Sequence, residues 1–341
     1  MNDKHLKFVV LKGVEGFGDR LQYLLQAILY AKNTKRILIV DWTDESWTHD
    51  IKINADFYFK FKNLLFFPYE AFVEYFLFNY TKISVYPKIW KKNLIDNDYI
   101  NFIYKDIFQI PNNSNRIFWE IANWNHPDFK EDVVVMPGTN LRTWKYETFS
   151  EIVFNKWITD KMSAFADKNN LISKNYDVIH LRGGSKKWTG GSTGNNKKYA
   201  TEINNKFKDI KDYLKLVYRD FEEKKQSLEK KNNIASKKLP IYLVSDSKLM
   251  INEWKKIYKI GLNLSEKLFD NFEGKSGSHK LNQDELYKEK ISKIDVNYYA
   301  ILDFHILLNA RIIGCDKVST FSNMANEIGK LESSFFKFVA S

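Results

Sequence analysis

Between Phe8 and Asp41 the chain runs apolar segment, glycine turn, amphipathic helix, apolar segment, and this order restricts the fold more than any other feature of the sequence. Phe8-Val9-Val10-Leu11 is a short apolar run suited to a buried strand, and Gly13, Gly16 and Gly18 interrupt it. From Asp19 onward, Leu21, Leu24, Leu25, Ile28 and Leu29 recur at helical spacing, which predicts a helix to about Asn33 with Asp19 as N-cap or first-turn acid. Ile37-Leu38-Ile39-Val40 reads as a second buried strand, ending at Asp41. Strand, turn, helix and strand make a βαβ unit, and such units build parallel sheets with right-handed crossovers.

The alternation continues down the chain. Val133–Met136 is a buried strand stopped by Pro137-Gly138, and Phe149–Lys168 reads as a helix. Then come a strand at Tyr176–Leu181, a polar glycine loop, a helix near Ile203–Glu229, a strand at Leu239–Val244 and a helix over Leu249–Tyr258. A helical stretch from Asp284 to Ala310, broken near Asp295, a short strand near Lys317–Thr320 and a helix over Ser322–Lys330 complete the pattern. A length of 341 residues suits two domains, and the Asn-rich segment Asp167–Asn175 is the best boundary. The expected domains are therefore 1–168, with the aromatic-rich insertion Phe57–Tyr104, and 169–341. The expected fold class is α/β, with two Rossmann-like doubly wound sheets facing each other across a cleft.

Hydrophobic residues at 44% and aromatics at 16% exclude global disorder. The single cysteine, Cys315, excludes an intramolecular disulfide and a cysteine metal cage, so a reducing compartment, the cytoplasm, is expected. The polar start and the lack of any apolar stretch of ~20 residues imply neither a signal peptide nor a membrane span. Lys and Arg total 53 against 42 Asp and Glu, a net charge of +11. This surplus favours an anionic partner: nucleotide phosphates, nucleic acid or an acidic membrane surface. Charge alone does not choose among them, and the lysine-rich stretch Glu222–Lys238 reads most simply as a solvated helix end and loop.

Polar residues collect where the predicted strands end. The loop Gly13-Val14-Glu15-Gly16-Phe17-Gly18-Asp19-Arg20 lies at the carboxyl end of a strand, where ligands of parallel sheets bind, and it opens a helix whose first N–H groups are free. It does not fit a dinucleotide fingerprint, and Asp41 is a weak candidate for a ribose contact. In Ile179-His180-Leu181-Arg182-Gly183-Gly184, His180 and Arg182 share one face of the strand. An arginine fork beside open glycine backbone suits a pyrophosphate, and equally an ion pair at a domain interface; His180 could be a satisfied core histidine. Asp246, in Ser245-Asp246-Ser247, could accept hydrogen bonds from a base or ribose or cap the next helix. Ser319-Thr320-Phe321-Ser322 leads into the last helix and could cradle an anion, with Ser322 alternatively a plain N-cap.

In order and content these four loops resemble the fucosyltransferase superfamily of GT-B glycosyltransferases, which includes protein O-fucosyltransferases and nodulation fucosyltransferases. Gly16-Phe17-Gly18-Asp19-Arg20 matches its G-x-G-[ND]-R-like loop, His180-Leu181-Arg182 its H-x-R motif, Ser245-Asp246 its S-D motif, and Ser319-Thr320-Phe321-Ser322 its S-[ST]-F-S motif. The resemblance implies an inverting, metal-independent transfer, most naturally of fucose from GDP-fucose to a glycan hydroxyl. The nucleotide sugar is a co-substrate, and no cofactor is expected. Arg182 would hold the β-phosphate, Asp246 would contact the guanosine, and Ser319, Thr320 and Ser322 would contact phosphates. Gly16, Gly18, Arg20, His180, Gly183 and Phe321 complete the implied donor site. Many members carry a second arginine where this chain has Gly183. Gly13-Val14-Glu15-Gly16-Phe17 resembles a G-E-G-F loop whose glutamate is the proposed base, which makes Glu15 the catalytic partner of Arg182; a structural Glu holding Arg20 is the competing reading.

The expected partners are a nucleotide sugar and a glycan acceptor, for whose rings the loop tryptophans Trp42, Trp47, Trp144 and Trp188 could be stacking platforms. No helix-turn-helix, RNA-recognition or zinc signature is present, so no nucleic-acid partner is expected. Peripheral association with the inner face of the membrane is a further expectation from the charge. The alternatives are a GT-B transferase for another nucleotide sugar, or a non-catalytic binder of nucleic acid or anionic glycan.

Overall fold

Val and Ile runs with side chains buried on both faces form the strands of two parallel sheets, and helices cover them. The computed structural model describes residues 6–44, 46–48, 50, 52–95, 129–137, 146–182, 210–232, 239–269, 278, 281–315 and 319–331. The chain divides into two compact units, Met1–Thr159 and Asp160–Ser341.

In the first unit, β1 (Phe8–Lys12), α1 (Phe17–Thr34) and β2 (Ile37–Asp41) form the βαβ unit read from the sequence. The helix starts two residues before Asp19, which is its first-turn acid, and ends at Lys35, whose left-handed backbone (φ 56°) sends its N–H to the Ala31 carbonyl. The aromatic-rich segment contains α2 (Ala55–Tyr58), β3 (Phe59–Phe61), α3 (Tyr69–Phe78) and β4 (Val85–Tyr86), and β5 (Val133–Pro137) follows. The sheet order is β2-β1-β5-β4, all parallel. Arg36, buried at the amino end of this sheet, donates to the carbonyls of Phe8, Phe129, Glu131 and Asp132.

The helix expected from Phe149 begins later. Tyr146–Glu151 form a 3-10 turn, β6 (Ile152–Phe154) pairs antiparallel with β3, and α4 covers only Lys156–Lys168. The physical reason is a partner distant in sequence: Ile152, Val153 and Phe154 gain ladder hydrogen bonds to Phe59–Phe61, and two of the three are β-branched.

The second unit contains β7 (Asp177–His180), α5 (Ile210–Asn232), β8 (Ile241–Val244), α6 (Lys248–Ile257), β9 (Leu262–Asn263), α7 (Gln283–Lys288), α8 (Lys293–Asn309), β10 (Ile313–Gly314) and α9 (Thr320–Leu331). Its parallel sheet has the order β10-β7-β8-β9. Tyr213, Leu214, Val217 and Phe221 of α5 pack with Met250, Ile251 and Trp254 of α6 against Ile179 and Leu243 of the sheet. Each such buried side chain contributes about 1.5–3 kcal/mol. Arg311 makes a bidentate bridge to Asp177 (2.8 and 2.6 Å), fixing the start of β10 beside β7.

Two sequence expectations shift here. The helix break expected near Asp295 falls just before it, where Ser292 and Asp295 form a reciprocal capping box that starts α8. The short strand lies at Ile313–Gly314 rather than at Lys317–Thr320; of the latter residues Ser319 and Thr320 are described, and Thr320 already begins α9. The first part of the Ile203–Glu229 helix falls outside the described residues, and the described helix runs on to Asn232. Among the described residues no helix is long and apolar enough to cross a membrane.

Candidate functional site

In the first unit the carboxyl ends of β1 and β2 carry two buried ion pairs. Lys12 pairs with Asp41, and Thr43 also donates to the Asp41 carboxylate (2.7 Å). Asp41 is therefore engaged within the protein, not a ribose ligand. Arg20, fully buried on the first turn of α1, donates to the Asp44 carboxylate (2.7 Å) and, through Nε, to the Glu15 carbonyl (2.9 Å). The carboxylate that answers Arg20 thus belongs to Asp44, and Glu15 meets Arg20 through its backbone. Enclosed in this way, Arg20 braces the glycine loop from beneath.

Trp42 and Trp47 complete this floor. The Arg20 guanidinium lies 5.6 and 5.3 Å from their ring centres, and the two rings meet edge to face at 5.0 Å. Both are buried, so neither offers a face to an acceptor sugar, contrary to the expectation from their loop positions. They serve as packing for the arginine instead.

The loop has little room for change. A Cβ on Gly13 would lie 2.2 Å from Trp42 Cδ1 and 2.5 Å from Arg20 Nη1. We expect Gly13→Ala to cost about 1–3 kcal/mol by forcing the indole and guanidinium apart, visible as a melting temperature lowered by several degrees; an unchanged melt would show that the floor can yield. Two residues on, Glu15 has φ 62°, the left-handed region that favours glycine. Gly16, the N-cap of α1, supplies no side chain to the helix, and Gly18 lies buried in its first turn.

In the second unit three motifs meet at one sheet edge. β7 lies between β10 and β8, so His180, the residues after Val244 and the start of α9 are neighbours by topology. A direct bond joins two of them: His180 Nδ1 and Ser322 Oγ are 2.6 Å apart, and the His180 ring lies 5.5 Å from that of Phe321. His180 is thus a satisfied histidine, and Ser322, inside α9, is not its N-cap. That position falls to Ser319, whose carbonyl accepts from Asn323 N–H (3.0 Å). The Ser319 hydroxyl is fully buried and makes no hydrogen bond with any described residue. A serine before a helix normally turns its oxygen onto the first N–H groups; this one does not. Thr320 and Phe321 follow in the half-buried first turn.

Arg182, half-buried just beyond β7, forms no ion pair with any described residue, and its backbone N–H donates to the Tyr213 hydroxyl (3.1 Å). At the end of β8 the cap of α6 is Ser247, which accepts from Met250 N–H, so Asp246 is not the cap. The Asp246 carboxylate instead accepts from Ser278 N–H (3.2 Å), and its carbonyl from Phe269 (2.9 Å).

Beneath Asp246 lies a residue that sequence reading missed. Asp303 of α8 accepts from Ser265 Oγ (3.4 Å), which in turn accepts from Ser245 N–H (2.8 Å). Burial, with the charge of Asp246 adding to it, pushes the Asp303 carboxyl well above the usual carboxylate range. Close by in the same helix, burial lowers His305 to about 4. Both are polar interruptions of the apolar run Ile301–Leu308, and that pattern was the available signal.

Gly183, Gly184, Trp144 and Trp188 lie outside the described residues. Among the described residues no group of three or more His, Cys, Asp or Glu is arranged to hold a metal ion.

Neither a protein-family model nor a curated protein matches this chain. Solved structures do. A fucosyltransferase NodZ from Bradyrhizobium shares 14% identity over 94% of this chain and 91% of its own, with a TM-score of 0.56. NodZ α-1,6-fucosyltransferase soaked with GDP-fucose also gives a TM-score of 0.56 at 14% identity, covering 95% of this chain and 92% of its own. The form co-crystallized with GDP gives 0.54 at 13% identity, over 94% and 92%. At such identity the likeness is one of fold. Two parallel α/β units, aligned over nearly the whole of both chains, give this protein the fucosyltransferase-like GT-B fold.

Proposed function

We propose that the protein is an inverting, metal-independent glycosyltransferase that moves fucose from GDP-fucose to a hydroxyl of a glycan acceptor. The observation that carries this reading is the sheet edge of the second unit. There Arg182, which forms no ion pair with any described residue, follows the strand whose His180 meets Ser322 of α9, and the buried hydroxyl of Ser319 at the start of that helix bonds no described residue. A diphosphate supplies what both groups lack: negative charge for the guanidinium and acceptor oxygens for the hydroxyl and the first N–H groups of α9. The fold likeness to enzymes studied with GDP and GDP-fucose supports the same choice of donor.

In this reading Arg182 holds the β-phosphate, Ser319 and Thr320 meet phosphate oxygens, and His180 holds Ser322 in place while Phe321 packs on its ring. Asp246 accepts from the guanosine, with Gly183 giving the backbone access. In the first unit Gly16 and Gly18 shape the loop, Arg20 braces it, and Glu15 is the base. The Glu15 carboxylate takes the proton of the acceptor hydroxyl as that oxygen bonds to the sugar C1. The bond from C1 to the phosphate oxygen breaks on the opposite face, its electron pair leaves with GDP, and Arg182 neutralises the growing charge. The protein works in the cytoplasm.

A ligand-dependent melt tests the donor. GDP at about 100 times its dissociation constant adds ~2.7 kcal/mol of stability, a rise of several degrees for a chain of this size, and we expect the rise to survive EDTA. A flat melt with guanine nucleotides and a shift with UDP, CMP or ADP would overturn the donor. Release of fucose from GDP-fucose, or its transfer to members of a glycan panel, tests the reaction itself.

A further inference from the structure

Where α3 ends, the first unit exposes an apolar tip. Phe78 is 90% exposed, Leu77 55%, Ile89 42% and Tyr80 36%, while the opposite side of the same helix buries Tyr69, Phe72 and Phe76. Single apolar residues are ordinary on a surface; several in one short segment are not. Lysines follow them in the chain. Lys82, Lys88 and Lys92 are exposed and Lys91 is half-buried, and residues 77–92 contain no acid. Among the described residues the adjoining acids include Glu74, one turn earlier on α3, and Asp132, whose carboxylate accepts the N–H and hydroxyl of Ser84 (2.8 and 2.7 Å).

The tip is preorganised. The Lys91 ammonium donates to the Ile83 carbonyl (2.8 Å) and lies 5.1 Å from the Tyr80 ring centre. The Asn93 amide donates to the Ile89 carbonyl (3.1 Å), and Phe76 meets Tyr80 edge-on at 5.5 Å. Its position follows from register. Val85 and Phe8 both pair with Val133, so the turn from α3 into β4 lies at the amino end of the sheet. The glycine loop follows β1 at the opposite, carboxyl end, so the turn that carries Leu77, Phe78, Tyr80 and Lys82 lies away from it.

We propose that this tip docks the protein on an anionic lipid bilayer. Phe78 and Leu77 protrude, so they can enter the headgroup layer, while the lysines meet lipid phosphates around them. A soluble polyanion would satisfy the lysines and leave the phenyl ring in water. A neutral bilayer would take the ring and leave the lysines unanswered. The inference rests on the first unit alone and is independent of the donor.

Cosedimentation of the full chain with vesicles tests it. The protein should pellet with phosphatidylcholine vesicles containing phosphatidylglycerol, far less with phosphatidylcholine alone, and less as salt rises. Phe78→Ser, and separately the triple change Lys82→Glu, Lys88→Glu and Lys92→Glu, should each weaken vesicle affinity about tenfold or more, with the melting temperature and its response to GDP unchanged. No pelleting with anionic vesicles, or pelleting that both variants leave intact, would overturn the proposal. So would capture by soluble heparin that abolishes vesicle binding and is indifferent to Phe78→Ser, since that marks a polyanion site.

Discussion

Glu15→Gln should lower transfer by about 10²–10⁴-fold while leaving the fold and the GDP-dependent melt as they are. The substitution isolates the charge. Glutamine keeps the size of the side chain and the same backbone, so the bond from Arg20 Nε to the residue-15 carbonyl persists, as does the left-handed conformation at φ 62°. Glu15→Gly separates charge from strain. A left-handed non-glycine residue costs roughly 1–2 kcal/mol, so glycine there should raise the melting temperature while abolishing turnover equally. Together the two variants test whether the loop carries a strained residue for the sake of its carboxylate. Full turnover in Glu15→Gln, measured as GDP release in the presence of an acceptor, would remove Glu15 as the base.

Arg182→Ala should erase the GDP-dependent melting shift and lower kcat/KM by about 10²–10³-fold, with little change in the melt of the free protein. The reason lies in what Arg182 does not do: its side chain makes no ion pair with any described residue, and its bond to Tyr213, from N–H to the hydroxyl, comes from the backbone and survives in alanine. Arg20 is the contrast. Removing that guanidinium would strip the buried Asp44 carboxylate of this ion pair and take away the packing of the tryptophan floor, so loss of activity there would carry no information about chemistry. A GDP response retained in Arg182→Ala would move the phosphate site elsewhere. A free protein that no longer folds would assign Arg182 a structural role.

The parts of this protein that follow from local pattern were readable in its sequence. The βαβ start from Phe8 to Asp41 was, because strand and helix periods are properties of neighbouring residues. So were the polar strand ends at His180 and Ser245. What joins distant positions was not. His180 and Ser322 are separated by 142 positions, and only the pairing of β10 with β7 brings them to 2.6 Å. Ile152–Phe154 carry no sign that their partner is Phe59–Phe61, so a helix was expected where a strand forms. Trp42 and Trp47 read as exposed loop aromatics because nothing near them in sequence foretells that Arg20 will lie between their rings and Asp44.

The solitary hydroxyl of Ser319 bears on how this protein trades durability for work. A buried polar group left unsatisfied costs about 1–3 kcal/mol, a sizeable part of the marginal stability of an ordinary domain. In the proposed donor site a diphosphate oxygen that met the hydroxyl would remove that cost on binding. Part of the proposed affinity would then be relief of a tension already present in the protein rather than the strength of a new contact. Ser319→Ala is therefore expected to raise the melting temperature of the free protein and to shrink its GDP-dependent shift; a lowered melting temperature would show that the hydroxyl is not a burden to the fold.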